Sequence, residues 1–370
     1  MPTVFVSDAT LQERLVIGPV RSEAHAPWGW KALSALYQAS LAACGYRIAP
    51  IVRPEIYQTE IARSVLGVEP GDWHLAVKPI EHLRPFHGIP NVFVCDWPFA
   101  ELSAAPLGGS PFSDQVRLLQ MADAVLCCTE LTTDTLRRAG VELAITLPPS
   151  IPAPVAESPA PSPPGLRRRF LSVVEAGHLS RQLGPTIAGF AEAARQQDGL
   201  SLVICVLGAE APLLADLRER VAGEPISILG EGVDGASGLY GAADFFLCAD
   251  AAPGLCLPLV QAMQARLPLV TTMTGGVGRF LPPEAAVAIA TEPGTLHRDD
   301  EPSAHLLSLT THPPTAATVC EAVWIAAGLD SDARFRMAAI GREIAASRFG
   351  LAAFKVGLVQ LSASISLDAS

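Results

Sequence analysis

The sequence predicts an α/β protein built from two doubly wound parallel sheets, one in each half of the chain. Short apolar runs alternate with longer amphipathic ones through both halves. The alternation stops at a segment rich in proline and alanine and then starts afresh. With 370 residues, 49% of them hydrophobic and 17% charged, the chain can bury two cores and is no candidate for global disorder.

The first half opens with the apolar run 3–6, read as a strand. A helix is expected over 30–44, ended by Gly45 in a C-cap position. The runs 47–52, 74–77, 91–95 and 124–128 read as further strands. A helix over 130–139 ends at Gly140, and 144–147 is the next strand. Residues 149–165 carry so many prolines that no regular backbone ladder can form, so they read as a linker of polyproline character. Strand 170–174 restarts the pattern, followed by a helix over 185–195. Strands are expected at 202–207, 226–229 and 244–248, then a helix at 257–264 and a strand at 269–272. Continuous apolar strands with helices between them imply parallel crossovers and sheets buried on both faces. The boundaries expected are an N-terminal domain 1–150, a linker 151–165, a second domain 166–345 and a closing helical segment 346–370.

Composition excludes several functions. A formal charge of −11 argues against a general nucleic-acid binder, which needs a basic face. The eight cysteines include no C-x-x-C pair, and most lie in apolar runs, as buried free thiols do in a reducing compartment. No zinc-ligand spacing is present. The N-terminus reads as a strand and not as a signal peptide, and no apolar run reaches the roughly 20 residues of a membrane helix. A cytoplasmic location is expected, with peripheral attachment at the inner face of the membrane left open. The run Arg167-Arg168-Arg169 is the basic feature that would serve such a contact.

The most informative stretch is GLYGAADFFLCADAAPGLCLPLVQAMQARLPLVTTMTGG, residues 238–276. A glycine-containing loop that enters a helix offers unpaired N–H groups and the positive end of the helix dipole, a combination suited to a diphosphate. The stretch resembles the donor-domain signature of glycosyltransferase family 4, in the GT-B superfamily. There "L-Y-x-x-A-D" leads through a strand to an acidic-Gly-Phe-Gly-Leu loop, a "P-x-x-E-A-M" helix, Pro-Val-Val and a Gly-Gly turn. Leu239, Tyr240, Ala243, Asp244, Gly254, Leu257, Pro258, Ala262, Met263, Pro268, Val270, Gly275 and Gly276 fall in register. Residues 170–194 resemble the strand, Arg-Lys-Gly and helix element whose basic pair grips the donor pyrophosphate. Arg181 takes the arginine position, and Gln182 or Leu183 stands for the lysine. Weaker matches are Val206-Leu207-Gly208, Ile228-Leu229-Gly230 and, in the first half, Met121-Ala122-Asp123-Ala124-Val125 with Thr129 where a serine is usual.

The resemblance implies a GT-B fold, two Rossmann-like domains with parallel sheets facing a central cleft. It also implies transfer of a sugar from a nucleotide donor to a hydroxyl of a glycan, lipid-linked or protein acceptor, with retention at the anomeric carbon. The donor is expected at Arg181, Gly208, Gly230, Gly254, Leu255, Cys256, Leu257 and Gln261. Asp96, just past a strand, is the catalytic candidate, and Trp28, Gly29 and Trp30 are the acceptor-side candidates. The nucleotide-sugar is a substrate; no cofactor and no metal are expected, because helix N-termini and Arg181 would carry the phosphate charge. The chain departs from the family in one respect that bears on chemistry. Active members carry two glutamates with seven residues between them, and here those positions are Pro253 and Gln261. Gln261 still hydrogen-bonds as donor and acceptor, whereas Pro253 has neither a carboxylate nor an N–H. The rival reading is therefore a catalytically silent GT-B subunit. An epimerase on the same fold would need carboxylate and histidine constellations that the sequence lacks.

Overall fold

The structure is a computed structural model that describes residues 2–8, 28–51, 64, 66–104, 114–154, 168–230, 237–296 and 308–367. The chain forms two compact units, Met1–Ser150 with Phe349–Ser370, and Ile151–Arg348. Most of the linker, residues 155–165, and Arg167 lie outside the described residues.

The first unit contains β1 (Thr3–Asp8), α1 (Trp28–Ala43), β2 (Arg47–Pro50), β3 (Trp73–Val77), β4 (Asn91–Cys95), α2 (Gln115–Leu119), β5 (Ala124–Cys127), α3 (Glu130–Arg138) and β6 (Ala144–Thr146). The strands make one sheet in the order β2-β1-β3-β4-β5-β6, and each neighbouring pair is parallel. β1, β3, β4 and β5 are buried along their whole length, which is why they read as largely apolar runs. Helix α1 starts two residues earlier than the sequence suggested, so Trp28, Gly29 and Trp30 form its first turn. Both glycine stops are used as expected. Gly45 and Gly140 take positive φ, and the amides of Tyr46 and Val141 return to the carbonyls of Leu41 and Leu136.

The second unit contains β7 (Arg168–Glu175), α4 (Leu179–Gln196), β8 (Leu200–Leu207), α5 (Ala211–Arg220), β9 (Ile226–Gly230), β10 (Phe245–Cys248), α6 (Leu257–Gln264), β11 (Leu269–Thr272), β12 (Ala286–Ile289), the small antiparallel pair β13 (Gly294–Leu296) and β14 (Leu309–Thr311), α7 (Ala316–Gly328) and α8 (Ser331–Phe349). Its main sheet is parallel in the order β12-β11-β10-β7-β8-β9. Counted within the unit, this is the dinucleotide-fold order 3-2-1-4-5-6, reversed between β7 and β10. Phe170 stacks on Phe245 at 4.9 Å and meets Phe190 edge-on at 5.4 Å, fixing α4 over the centre of the sheet.

Helix α4 corrects a boundary. The pair Gly184-Pro185 suggested a helix beginning at residue 185, yet the helix runs from Leu179 with Pro185 inside it. Proline cannot donate one backbone bond there. The Thr186 hydroxyl donates to the Gln182 carbonyl at 2.6 Å and adds a tie across the same turn. The longer helix carries Arg181 and Gln182 in its first turn.

The two "A-D" pairs that drew attention in the sequence have one structural job. Asp123 precedes β5 and its carboxylate accepts the Asn91 amide of neighbouring β4 at 2.6 Å. Asp244 precedes β10 and accepts the Arg169 amide of neighbouring β7 at 2.8 Å. Asp72, before β3, does the same for the Thr3 amide of β1 at 2.6 Å. Each carboxylate satisfies an N–H at the amino edge of a parallel sheet, where the ladder has no further partner.

The chain closes with α9 (Leu351–Leu367), which belongs to the first unit. Phe354, Leu358 and Leu361 recur at helical spacing and are buried. Phe354 meets Tyr37 edge-on at 6.2 Å. The stretch 331–365 is long and apolar enough, by length and composition, to cross a membrane. The sequence reading counted no such run. Within that stretch the helix is interrupted at Gly350, between α8 and α9.

Candidate functional site

In an open parallel sheet, ligands collect outside the carboxyl ends of the strands where the strand order reverses. In the second unit that point lies between β7 and β10. The loop after β7 runs through a single 3-10 turn, Ala176–His178, straight into α4. The loop after β10 runs from Ala249 to Cys256 and enters α6. The two loops are joined by Gln182, whose Nε2 donates to Asp250 Oδ2 at 2.6 Å, both side chains being buried. Asp250 Oδ1 accepts the Ala252 amide at 2.9 Å, and the Asp250 carbonyl accepts the Thr272 hydroxyl at 2.7 Å. Gln182, one of the two residues that could stand at the lysine position of the resembled element, is thus neutral and tied to a carboxylate of the opposite loop.

The start of α6 carries no side-chain cap. Its N-cap, Cys256, has φ 51° and ψ 67°. Cys256 and Arg266 are the residues other than glycine with positive φ among the described residues. The left-handed turn of the loop is therefore made at Cys256 and not at Gly254. Pro258 sits in the first turn, where its missing N–H disturbs no helical bond. The turn keeps the amide end of the helix uncapped by side chains at the carboxyl edge of the sheet, the arrangement that favours an anion.

The two positions that carry glutamate in the resembled family take different parts. Pro253 is buried, and its carbonyl accepts the Gly276 amide at 2.7 Å. It anchors the loop to the Gly275-Gly276 turn after β11. Gly275 has φ 58°, and a Cβ there would stand 2.4 Å from the Pro253 oxygen, so glycine is required on both counts. Gln261 is half-buried on α6, and its Oε1 accepts from the Tyr240 hydroxyl at 3.0 Å. Tyr240, buried to 1% exposure, is the "L-Y" tyrosine of the signature, and its hydroxyl also reaches the Pro258 carbonyl at 3.2 Å. This contact orients the Gln261 amide so that Nε2 is the group left to donate outward.

The other donor candidates are distributed around this point. Leu255 and Leu257 are buried in the loop and in the first helical turn. Gly208 follows β8 with φ 68°. Gly230 ends β9, and a Cβ there would meet the Leu214 Cδ1 of α5 at 2.7 Å, a contact that the flexible end of that side chain can relieve. Arg181 lies in the first turn of α4, but its side chain is outside the described residues, as is that of Trp28.

In the first unit the strand order reverses between β1 and β3. Asp8 ends β1 and pairs in register with Val77, so Asp8 and Lys78 lie at adjacent strand ends. Both side chains are buried, to 7% and 3% exposure. Asp8 accepts from Ser34 at 2.9 Å and from Gln38 at 3.4 Å, both on α1. Asp96, the catalytic candidate from the sequence, follows β4, one strand further along, and is half-buried. Its negative charge contributes to holding the Cys128 thiol well above its ordinary range, after burial. The sequence reading missed Asp8 and Lys78. A signal was present, since Lys78 is one of only three lysines in the chain and directly follows an apolar strand.

His74, on β3, is fully buried between Ser7 at 2.8 Å and Asn91 at 2.9 Å. Burial lowers its pKa to about 4, against a weaker upward pull from the Asn91 hydrogen bond. It is a neutral core histidine without access to substrate.

No family model matches the chain, and no curated protein matches it in sequence. Solved structures do match in fold. The chain is similar to sucrose-phosphate synthase from Thermosynechococcus elongatus, with 14% identity, all of both chains covered and a TM-score of 0.64. It is similar to the E. coli trehalose-6-phosphate structure bound with UDP-2-fluoro glucose, with 11% identity, 98% and 99% covered and a TM-score of 0.64. It also resembles the pneumococcal O-GlcNAc transferase GtfA in complex with UDP and GlcNAc, at 16% identity and a TM-score of 0.56, over 82% of this chain and 58% of GtfA. Against TarM, the chain spans 55% of that protein's length. The chain shares with these structures a two-domain α/β fold, each domain Rossmann-like and built on a parallel six-stranded sheet.

Proposed function

We propose that this chain is a glycosyltransferase of the family 4 type, moving a sugar from a nucleotide donor to a hydroxyl of a glycan, lipid-linked or protein acceptor. The observation that carries this reading is the meeting of two sequence segments. Residues 170–194 and 238–276 each resemble a donor-binding element, and the glycine-containing loop entering a helix in the second is suited to a diphosphate. They converge at the strand-order reversal of the second unit and are joined by the Gln182–Asp250 bond of 2.6 Å. The bound UDP compounds of GtfA and of the E. coli structure support the choice of a nucleotide-sugar.

In this reading the uncapped start of α6, with Gly254, Leu255, Cys256 and Leu257, receives the diphosphate. Arg181 brings the positive charge to the same phosphates, and no metal is needed. Gln261 Nε2 donates to a ribose hydroxyl. Gly208 and Gly230 leave room for the nucleotide at the ends of β8 and β9. Departure of the diphosphate leaves positive character on the anomeric carbon, and amides aimed at the phosphate stabilise the leaving charge. The family's sugar-facing glutamate is replaced by the buried Pro253, so the donor sugar is oriented with fewer polar contacts than in the resembled enzymes. Asp96, with Trp28, Gly29 and Trp30 at the start of α1, is assigned to the acceptor. Asp8 and Lys78 join that set as buried charges at the strand-order reversal of the first unit.

The test has two stages. A thermal-shift panel of UDP-, GDP- and dTDP-sugars should find one nucleotide that stabilises the protein, by about 2.7 kcal/mol at 100 times its dissociation constant. That donor should then be turned over in the presence of a hydroxyl acceptor, with retention at the anomeric centre. Stabilisation without turnover would identify a silent binding subunit. The absence of stabilisation by every nucleotide would refute the donor reading.

A further inference from the structure

Two of the eight cysteines flank the donor loop. Cys248 is the last residue of β10, and Cys256 is the left-handed residue that opens α6. Their Sγ atoms are 3.6 Å apart. A left-handed φ of 51° is a conformation that a residue with a side chain avoids at a cost of about 1–2 kcal/mol, and such positions ordinarily go to glycine. A strained cysteine held in contact with a second thiol, at a loop proposed to bind ligand, is an outlier from which function can be inferred.

We propose that Cys248 and Cys256 are a modification site, an oxidisable dithiol whose conversion to a disulfide closes the donor loop. The oxidant is a peroxide. The Cys256 thiolate attacks one peroxide oxygen, the O–O bond breaks, and the sulfur becomes a sulfenic acid while the other oxygen leaves as water. The Cys248 thiolate then attacks the Cys256 sulfur, the S–O bond breaks, and a second water departs. In sum two thiols and one hydrogen peroxide give one disulfide and two waters. Cys256 goes first because it is half-buried, whereas Cys248 is buried to 5% exposure.

Closing the bridge brings the sulfurs nearer by about 1.5 Å, since a disulfide bond is about 2.05 Å long. The movement falls on the residue whose backbone sets the entry into α6, so the amide end of the helix shifts with it. The contact with Cys248 and burial hold the Cys256 thiol well above its ordinary range. The Cys256 thiol therefore stays protonated at neutral pH, and its oxidation accelerates as pH rises. The loss of nucleotide binding rests on the donor reading given above; the bridge itself does not.

The full-length protein is treated with hydrogen peroxide, its remaining thiols are alkylated, and its peptides are mapped by mass spectrometry. A peptide pair linked through Cys248 and Cys256, about 2 Da lighter than the dithiol and restored by dithiothreitol, is expected. Amide exchange over residues 254–260 should change in the oxidised form, and UDP affinity should fall at least tenfold and recover on reduction. Cys248→Ser should keep UDP binding after peroxide, and Cys248→Ala serves if the serine variant does not fold. Alkylation of both cysteines while other thiols oxidise overturns the proposal, as does a bridge that leaves exchange over 254–260 unchanged. If the reduced protein binds no nucleoside diphosphate, the donor reading fails separately, and the peptide map and the exchange data still decide the dithiol.

Discussion

Gly275 stands where the turn after β11 meets the loop after β10, and replacing it by alanine perturbs two things of known size. Alanine at φ 58° carries a left-handed strain of about 1 kcal/mol. The new methyl would lie 2.4 Å from the Pro253 carbonyl, which already accepts the Gly276 amide at 2.7 Å. Forcing that contact apart costs about 1–3 kcal/mol more, as overpacking of a filled site does. Gly275→Ala should therefore destabilise the second unit by about 2–4 kcal/mol in all. Gly223→Ala is the matched control, with φ 86° and nothing within 4 Å of the added carbon, and should cost only the strain of about 1 kcal/mol. The assay is urea unfolding read by pulse-labelled hydrogen exchange on peptides covering 245–272, which reports this unit alone. Equal losses for the two variants would refute the claim that the Gly275 turn clamps Pro253. Because Pro253 holds the loop, Gly275→Ala should also weaken nucleotide binding, and Gly223→Ala should leave it unchanged.

Tyr240→Phe removes the hydroxyl that orients Gln261; it should lower stability by about 1 kcal/mol and weaken nucleotide binding severalfold, measured by calorimetry. Gln182→Met leaves one oxygen of the buried Asp250 without its donor and should cost about 1–3 kcal/mol in chemical denaturation, more than Gln182→Met with Asp250→Asn together. For His74 the folded pKa of about 4 lies below the ordinary histidine value of 6.5, so the unfolded chain takes up the proton first. The stability it permits is whole above pH 6.5 and declines as pH falls toward 4, by about 3 kcal/mol at full extent. His74→Gln should flatten that part of the stability–pH curve, and an unchanged acid limb would contradict the assignment.

The fold was legible because its signals are local. Fully buried parallel strands give largely apolar runs, and Gly45 and Gly140 mark helix ends by a backbone conformation that glycine adopts freely. Helix α4 was misjudged because proline punctuates a helix in most contexts, and here the chain continues through it. The two segments that resemble donor elements could be recognised from register, over some forty residues in 238–276. The bond between them could not, because Gln182 and Asp250 are 68 residues apart and only the strand order brings them together. Position 253 looked like a lost catalytic group, and the structure gives proline there a local task in anchoring the loop. The charges of the first unit were the least readable. Asp8 and Lys78 gain meaning only from the reversal between β1 and β3, which no local pattern encodes.

Hydrogen exchange of the reduced protein with and without saturating nucleoside diphosphate tests the central assignment most directly. The account predicts slowed exchange at the amides of residues 254–260 and in the first turn of α4, with UDP or with whichever diphosphate stabilises the protein. Binding that leaves those amides unchanged while slowing others would place the nucleotide elsewhere and contradict the assignment.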